Sequence, residues 1–85
     1  MEKVDCMDTC IEKAVGQNIR RQRLEKSLTQ DEVAAKLQVM GCDLTRSAYA
    51  KIEVGQRHLY PDELILLKEV FGCSYEALLD VSLNS

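Results

Sequence analysis

The 85-residue chain holds one proline (Pro61), one histidine (His58) and four glycines. No apolar run approaches the ~20 residues needed to span a bilayer. No stretch alternates polar and apolar side chains as a half-buried strand would, so a sheet protein is not expected. The opening Met1 to Asp8 lacks the apolar stretch of a secretory leader, and a cytoplasmic protein with no membrane attachment is the expectation. No Cys-x-x-Cys pair occurs, and a lone histidine cannot complete a zinc site built on paired ligands. Neither a metal nor another cofactor is therefore expected. Cys6 and Cys10 stand one helical turn apart, while Cys42 and Cys73 stand alone. Reduced cysteines acting as small apolar residues fit this pattern, with a redox role for Cys6 and Cys10 as the other reading. Paired carboxylates, an activated nucleophile and a phosphate-cradling glycine loop are all missing, so no enzyme is expected.

What is present is a small globular composition, 46% hydrophobic and 29% charged, enough for one domain with one modest core. The net charge of −3 conceals an uneven distribution. Residues 1–13 set Lys3 and Lys13 against four acids, and residues 61–85 set Lys68 against five. The centre, 14–60, has eight Lys or Arg against Glu25, Asp31, Glu32, Asp43 and Glu53, a net of +3. The acidic ends enclose a basic middle, and for a polyanionic partner that distribution matters more than the sum.

Helix signals recur along the chain. Thr9 and Glu12 have capping-box spacing, with Ile11, Val15 and Ile19 following at helical intervals, which predicts a first helix over about residues 10–26. Gly16 weakens that helix by ~1 kcal/mol relative to alanine, and a start near Val15 is the alternative. Thr29 and Glu32 form a second capping box, with Leu28 and Val33 as its hydrophobic staple. Val33, Ala34 and Leu37 are the buried stripe of this second helix, and Gly41 its terminator. Thr45 caps a third helix with Leu44 and Tyr49 at staple spacing, Ile52 inside and Gly55 at the end. Pro61 suits the first position of a fourth helix, whose inner side is Leu64, Leu67 and Phe71 and whose stop is Gly72. Ser74 caps a short fifth helix carrying Tyr75, Leu78 and Leu79.

Two adjacent capped helices, the second starting with short polar and basic residues, are the parts of a helix-turn-helix. One helix must enter the DNA major groove by its first turn while its neighbour rests on the backbone. In Thr45-Arg46-Ser47-Ala48-Tyr49-Ala50-Lys51-Ile52-Glu53, Arg46, Ser47 and Ala50 or Lys51 can face outward while Ala48, Tyr49 and Ile52 pack inward. Three stretches carry a family resemblance: Val15 to Leu37 with its Leu28-Thr29-Gln30, Ser47 to Arg57 with its Ile52-Glu53-x-Gly55-x-Arg57, and Leu64 to Leu79. Together they resemble the lambda-repressor-like, Cro/C1-type helix-turn-helix domain over about residues 15–80.

The resemblance implies a compact all-α, five-helix fold, with the helix-turn-helix formed by helices two and three. Residues 1–14 would be an N-terminal extension entering the first helix, and residues 81–85 a short tail. It implies a sequence-specific regulator that binds double-stranded DNA as a homodimer on an inverted-repeat operator. Arg46, Ser47 and Lys51 match base-facing positions. Arginine suits guanine, Lys51 could equally meet phosphate, and Ser47 could read either. Gln30, Thr45 and Arg57 match backbone-anchoring positions, Thr45 being also a helix cap. Arg23 and Glu53 match a partly buried structural ion pair, and His58 falls in a surface loop. The fifth helix and the tail, Asp80 to Ser85, are the expected dimer surface. With no second domain in these 85 residues, any signal would arrive through abundance, a regulatory protein partner or the cysteines. The competing reading is a protein-interaction module on the same fold, such as an antitoxin or adaptor.

Three departures from the family pattern stand out. The link from Gln38 to Leu44 is longer than the usual tight turn, leaving room for the second helix to continue through Met40. Ser27 stands where glycine is common. Tyr49 replaces an aliphatic residue, and its ring can pack inward only if its hydroxyl finds a partner or water.

Overall fold

The computed structural model describes the backbone of residues 2–81 and the side chains of residues 11–81. Five helices follow in order: α1 (Glu2–Glu25), α2 (Gln30–Val39), α3 (Arg46–Glu53), α4 (Pro61–Phe71) and α5 (Tyr75–Leu79). No strand occurs among the described residues, and no helix among them is long and apolar enough to cross a membrane.

The caps set most boundaries. Thr29 accepts the Glu32 amide while Glu32 accepts the Thr29 amide, closing the reciprocal box at the start of α2. Thr45 accepts the Ala48 amide and Ser74 the Ala77 amide. α4 begins with Pro61, and Glu63 accepts the Tyr60 amide as half of a box. At the other ends, α1, α2 and α3 share one device. Leu28, Cys42 and Gln56 each donate to a carbonyl five residues back, and Ser27, Gly41 and Gly55 before them are left-handed. The longer link after α2 is absorbed by this turn rather than by further helix, which stops at Val39.

The start of α1 differs from the sequence expectation. The helix begins at Glu2, so Thr9 lies inside it and not at its cap. The reason is local: Lys3 to Asp8 holds neither proline nor glycine, and a capping pattern starts a helix only where the chain ahead leaves it. The side chains of Cys6 and Cys10, and the tail beyond Val81, lie outside the described residues.

One core joins all five helices: Val15 and Ile19 from α1, Val33 and Leu37 from α2, Tyr49 and Ile52 from α3, Leu67 and Phe71 from α4, Leu78 from α5, with Leu44 ahead of α3. α5 contributes less than its sequence implied, because Tyr75 and Leu79 are exposed and Leu78 alone of that helix is buried. What fixes so short a helix is polar. The buried Asn18 amide donates to the Leu78 and Asp80 carbonyls at 3.0 and 3.1 Å, satisfying acceptors a helix end leaves orphaned. Cys42 and Cys73 are half-buried free thiols against the core, and desolvation pushes the Cys73 thiol above its ordinary value.

Gly16 is explained by packing rather than by a helix start. A Cβ there would press on the Ile52 and Glu53 carbonyl oxygens, 2.5 Å from the latter, so α1 and α3 touch backbone to backbone where only glycine fits. Gly16→Ala is expected to destabilise the fold by about 1–3 kcal/mol in urea unfolding, overpacking outweighing the better helix propensity. A variant more stable than the parent would refute the close approach. Ser27, at φ 58°, holds a left-handed conformation that costs a side-chain-bearing residue ~1–2 kcal/mol. Ser27→Gly should therefore raise the thermal midpoint, by up to about 1 kcal/mol of stability after glycine's greater unfolded-state freedom is subtracted.

Candidate nucleic-acid interface

α3 divides its residues cleanly between two faces. Arg46, Ser47, Lys51 and the following Val54 are exposed, and Ala50 between them is half-buried. The opposite side, Tyr49, Ile52 and Glu53, is buried. The outward arc therefore presents two cations, a hydroxyl and two small apolar groups from a helix anchored along its whole inner edge.

That anchor is a four-residue polar cluster. Arg23 donates from Nε to Glu53 Oε2 at 2.6 Å and from Nη2 to Glu53 Oε1 at 3.2 Å, with Nη1 donating to the Leu28 carbonyl at 3.0 Å. Gln30 Nε2 also donates to Glu53 Oε1, at 3.0 Å. The pair ties α1 to α3 and Gln30 adds α2. Burial opposes the charge on Glu53, but the hydrogen bonds from Arg23 and Gln30 outweigh it and the carboxyl is held below its ordinary pKa. Tyr49 lies beside the same carboxylate. Its ring is fully buried, and its hydroxyl makes no direct hydrogen bond among the described residues. Burial first, and the nearby carboxylate next, push its pKa far above the usual phenol value, so it stays neutral.

The remaining sequence-nominated residues divide. Thr45 opens α3 with its hydroxyl oxygen accepting from Ala48, leaving its O–H free to donate. Gln30 leads α2, its amide turned inward to Glu53 and its backbone N–H in the unsatisfied first turn. Arg57 is clamped by Glu63 through two parallel bonds of 2.9 and 3.1 Å, donates also to the His58 carbonyl, and lies over the Tyr60 ring. Its guanidinium is largely committed to holding the α3–α4 loop. His58 is exposed, with its ring against Glu12 of α1.

Sequence patterns did not show Asn18 clasping α5, Glu63 clamping Arg57, or Asp31 meeting Arg46. Asn18 and α5, like Asp31 and Arg46, lie on different helices, and Arg57 reaches Glu63 of α4 from the loop before it. The one available signal was a polar residue at a core-facing register, as with Asn18 one position before Ile19.

No group of acids, cysteines and histidine able to hold a metal occurs among the described residues. A family model described as helix-turn-helix matches residues 19–78, well over half the chain. The chain belongs to the Cro/C1-type helix-turn-helix family. No curated protein and no solved structure matches it. The matched span runs from Ile19 to Leu78, so it takes in the polar cluster, the outward face of α3 and the starts of α2, α3, α4 and α5. The family is one of DNA-binding regulators, which gives the exposed face of α3 its chemical context.

The buried pair also sets an acid limit. A carboxyl whose pKa is lowered on folding stabilises the fold above its unfolded value of about 4.3, and that contribution is lost as pH falls through the lower folded value. Glu53→Gln should cost about 3–5 kcal/mol at pH 7 because Arg23 remains buried without a counter-charge. Urea unfolding followed from pH 7 to pH 3 should show a shallower acid decline in the variant than in the parent. Parallel declines would mean that Glu53 is not the group responsible.

Proposed function

We propose that this helix-turn-helix protein is a sequence-specific transcriptional regulator that binds an inverted-repeat operator as a homodimer, with α3 in the major groove. The observation carrying the reading is the outward face of α3, where Arg46, Ser47 and Lys51 stand exposed on a helix whose other side is locked into the core. Arg46 offers paired donors to the two acceptors of guanine, Ser47 can donate or accept, and Lys51 reaches a base or a phosphate. The free backbone N–H of Gln30 and the free hydroxyl proton of Thr45 suit phosphate oxygens at two neighbouring helix starts. Arg57, clamped by Glu63, holds the following loop in place.

Two-fold pairing would set the reading helices about one DNA turn, ~34 Å, apart. The exposed Tyr75 and Leu79 of α5, with Ile65 of α4, are apolar groups that such pairing would cover. Acidic flanks around the basic centre keep general attraction to DNA modest, so affinity must come from the matched site. A cytoplasmic location follows from this role.

Fluorescence anisotropy with the protein's own upstream DNA and with random duplex, across a salt series, tests the reading. Tight binding to one sequence is expected, at two chains per operator, falling steeply with salt. Arg46→Ala should lose about 1–3 kcal/mol of preference for that sequence. Equal and weak binding to both duplexes would reject the assignment and favour a protein-interaction module.

A further inference from the structure

Three consecutive residues at the start of α2 face three different tasks. Gln30 turns inward to Glu53, and Glu32 folds back to cap its own helix at the Thr29 amide. Asp31 turns toward the start of α3, placing Oδ1 3.2 Å from Nε of Arg46. Both side chains are open to solvent, 76% exposed for Asp31 and 60% for Arg46. Exposed pairs of this kind contribute little to stability.

The charges sharpen the point. Asp31 lies in the first turn of α2, where a carboxylate suits the positive end of the helix dipole. Arg46 is the first residue of α3, whose opening turn contains no acid. A cation there meets the positive end of its own helix, which disfavours it. The Asp31 carboxylate offsets that repulsion from the neighbouring helix. It also places a negative charge on the face proposed to meet phosphate, which weakens general attraction to DNA. Besides its place at the start of α2, the Asp31 carboxylate has Arg46 as its charged partner.

A guanidinium carries one N–H at Nε and four at its two terminal nitrogens. Asp31 approaches Nε as an ion pair, and among the described residues Nη1 and Nη2 carry no hydrogen bond. That pair can bridge O6 and N7 of one guanine end-on, while the Asp31 charge stands beside the sideways approach through Nε. Restraint before binding also lowers the ordering cost of a long side chain.

We propose that Asp31 is a positioning residue that determines specificity: by holding Arg46 at its Nε edge, it aims the terminal pair at a single guanine and suppresses binding where no guanine stands. This rests on Arg46 being a base reader, as proposed above.

The test is selection of bound sequences from a random duplex pool. It is followed by anisotropy on the selected site and on single base-pair replacements, using the parent, Asp31→Asn, Arg46→Ala and the double variant. In Asp31→Asn, discrimination at one G·C pair should fall about threefold to tenfold while the other positions keep theirs. Thermal unfolding should fall only slightly, by the helix-start contribution of the Asp31 charge, and random duplex should bind more tightly. In the Arg46→Ala background the same substitution should leave discrimination unchanged at every position, because nothing remains to be aimed. Undiminished preference at that pair in Asp31→Asn, or an equal loss at all positions, overturns the inference while leaving Arg46 as a reader. If the parent selects no sequence, or Arg46→Ala keeps the full preference, the base-reading assignment itself fails and the role of Asp31 falls with it.

Discussion

The bond between Arg23 and Glu53 is the constraint on which the rest of this molecule depends. It is short, buried and two-pronged, and it crosses from the end of α1 to the end of α3. Gln30 and the Leu28 carbonyl complete it from α2 and the turn before it. Its energetic cost is real, since two charges leave water, and the extra hydrogen bonds are what make the burial tolerable. An apolar cluster could hold three helices together with similar strength. It would not fix their mutual rotation as a planar fork on a carboxylate does, and the orientation of α3 is what an outward reading face requires.

Packing reinforces the same geometry. Next to the ion pair, α1 and α3 meet at Gly16 with no side chain between them, which sets their separation as the pair sets their angle. The Tyr49 ring, fully buried, packs into the core beside them. Further out, Arg57 and Glu63 hold the loop leaving α3, and Thr45 holds its entry. The helix is restrained at both ends as well as along its inner face. Its outward residues are therefore not what holds the scaffold together.

Much of the fold was legible in the sequence because caps are local. Thr29 with Glu32, Thr45, Pro61, Ser74 and the glycines after α2 to α4 act over a handful of residues, and each marks a boundary whatever the rest of the chain does. The capping pattern at Thr9 failed for the complementary reason: a helix begins where the chain ahead of it turns away, and nothing ahead of Thr9 turns. The outward and inward sides of α3 were likewise legible from helical period. The family resemblance supplied the pairing of Arg23 with Glu53, which periodicity could not have shown.

The sequence by itself determined five helices, their order, most of their ends and which side of α3 is polar, because these follow from interactions within a few residues. Tertiary structure alone decided that Asn18 clasps α5, that Gly16 is a contact rather than a start, that Arg57 is clamped by Glu63, and that Asp31 meets Arg46. Each of those depends on distances between separate parts of the folded chain. Such distances are set by the packed core as a whole and have no signature in the local pattern of residues.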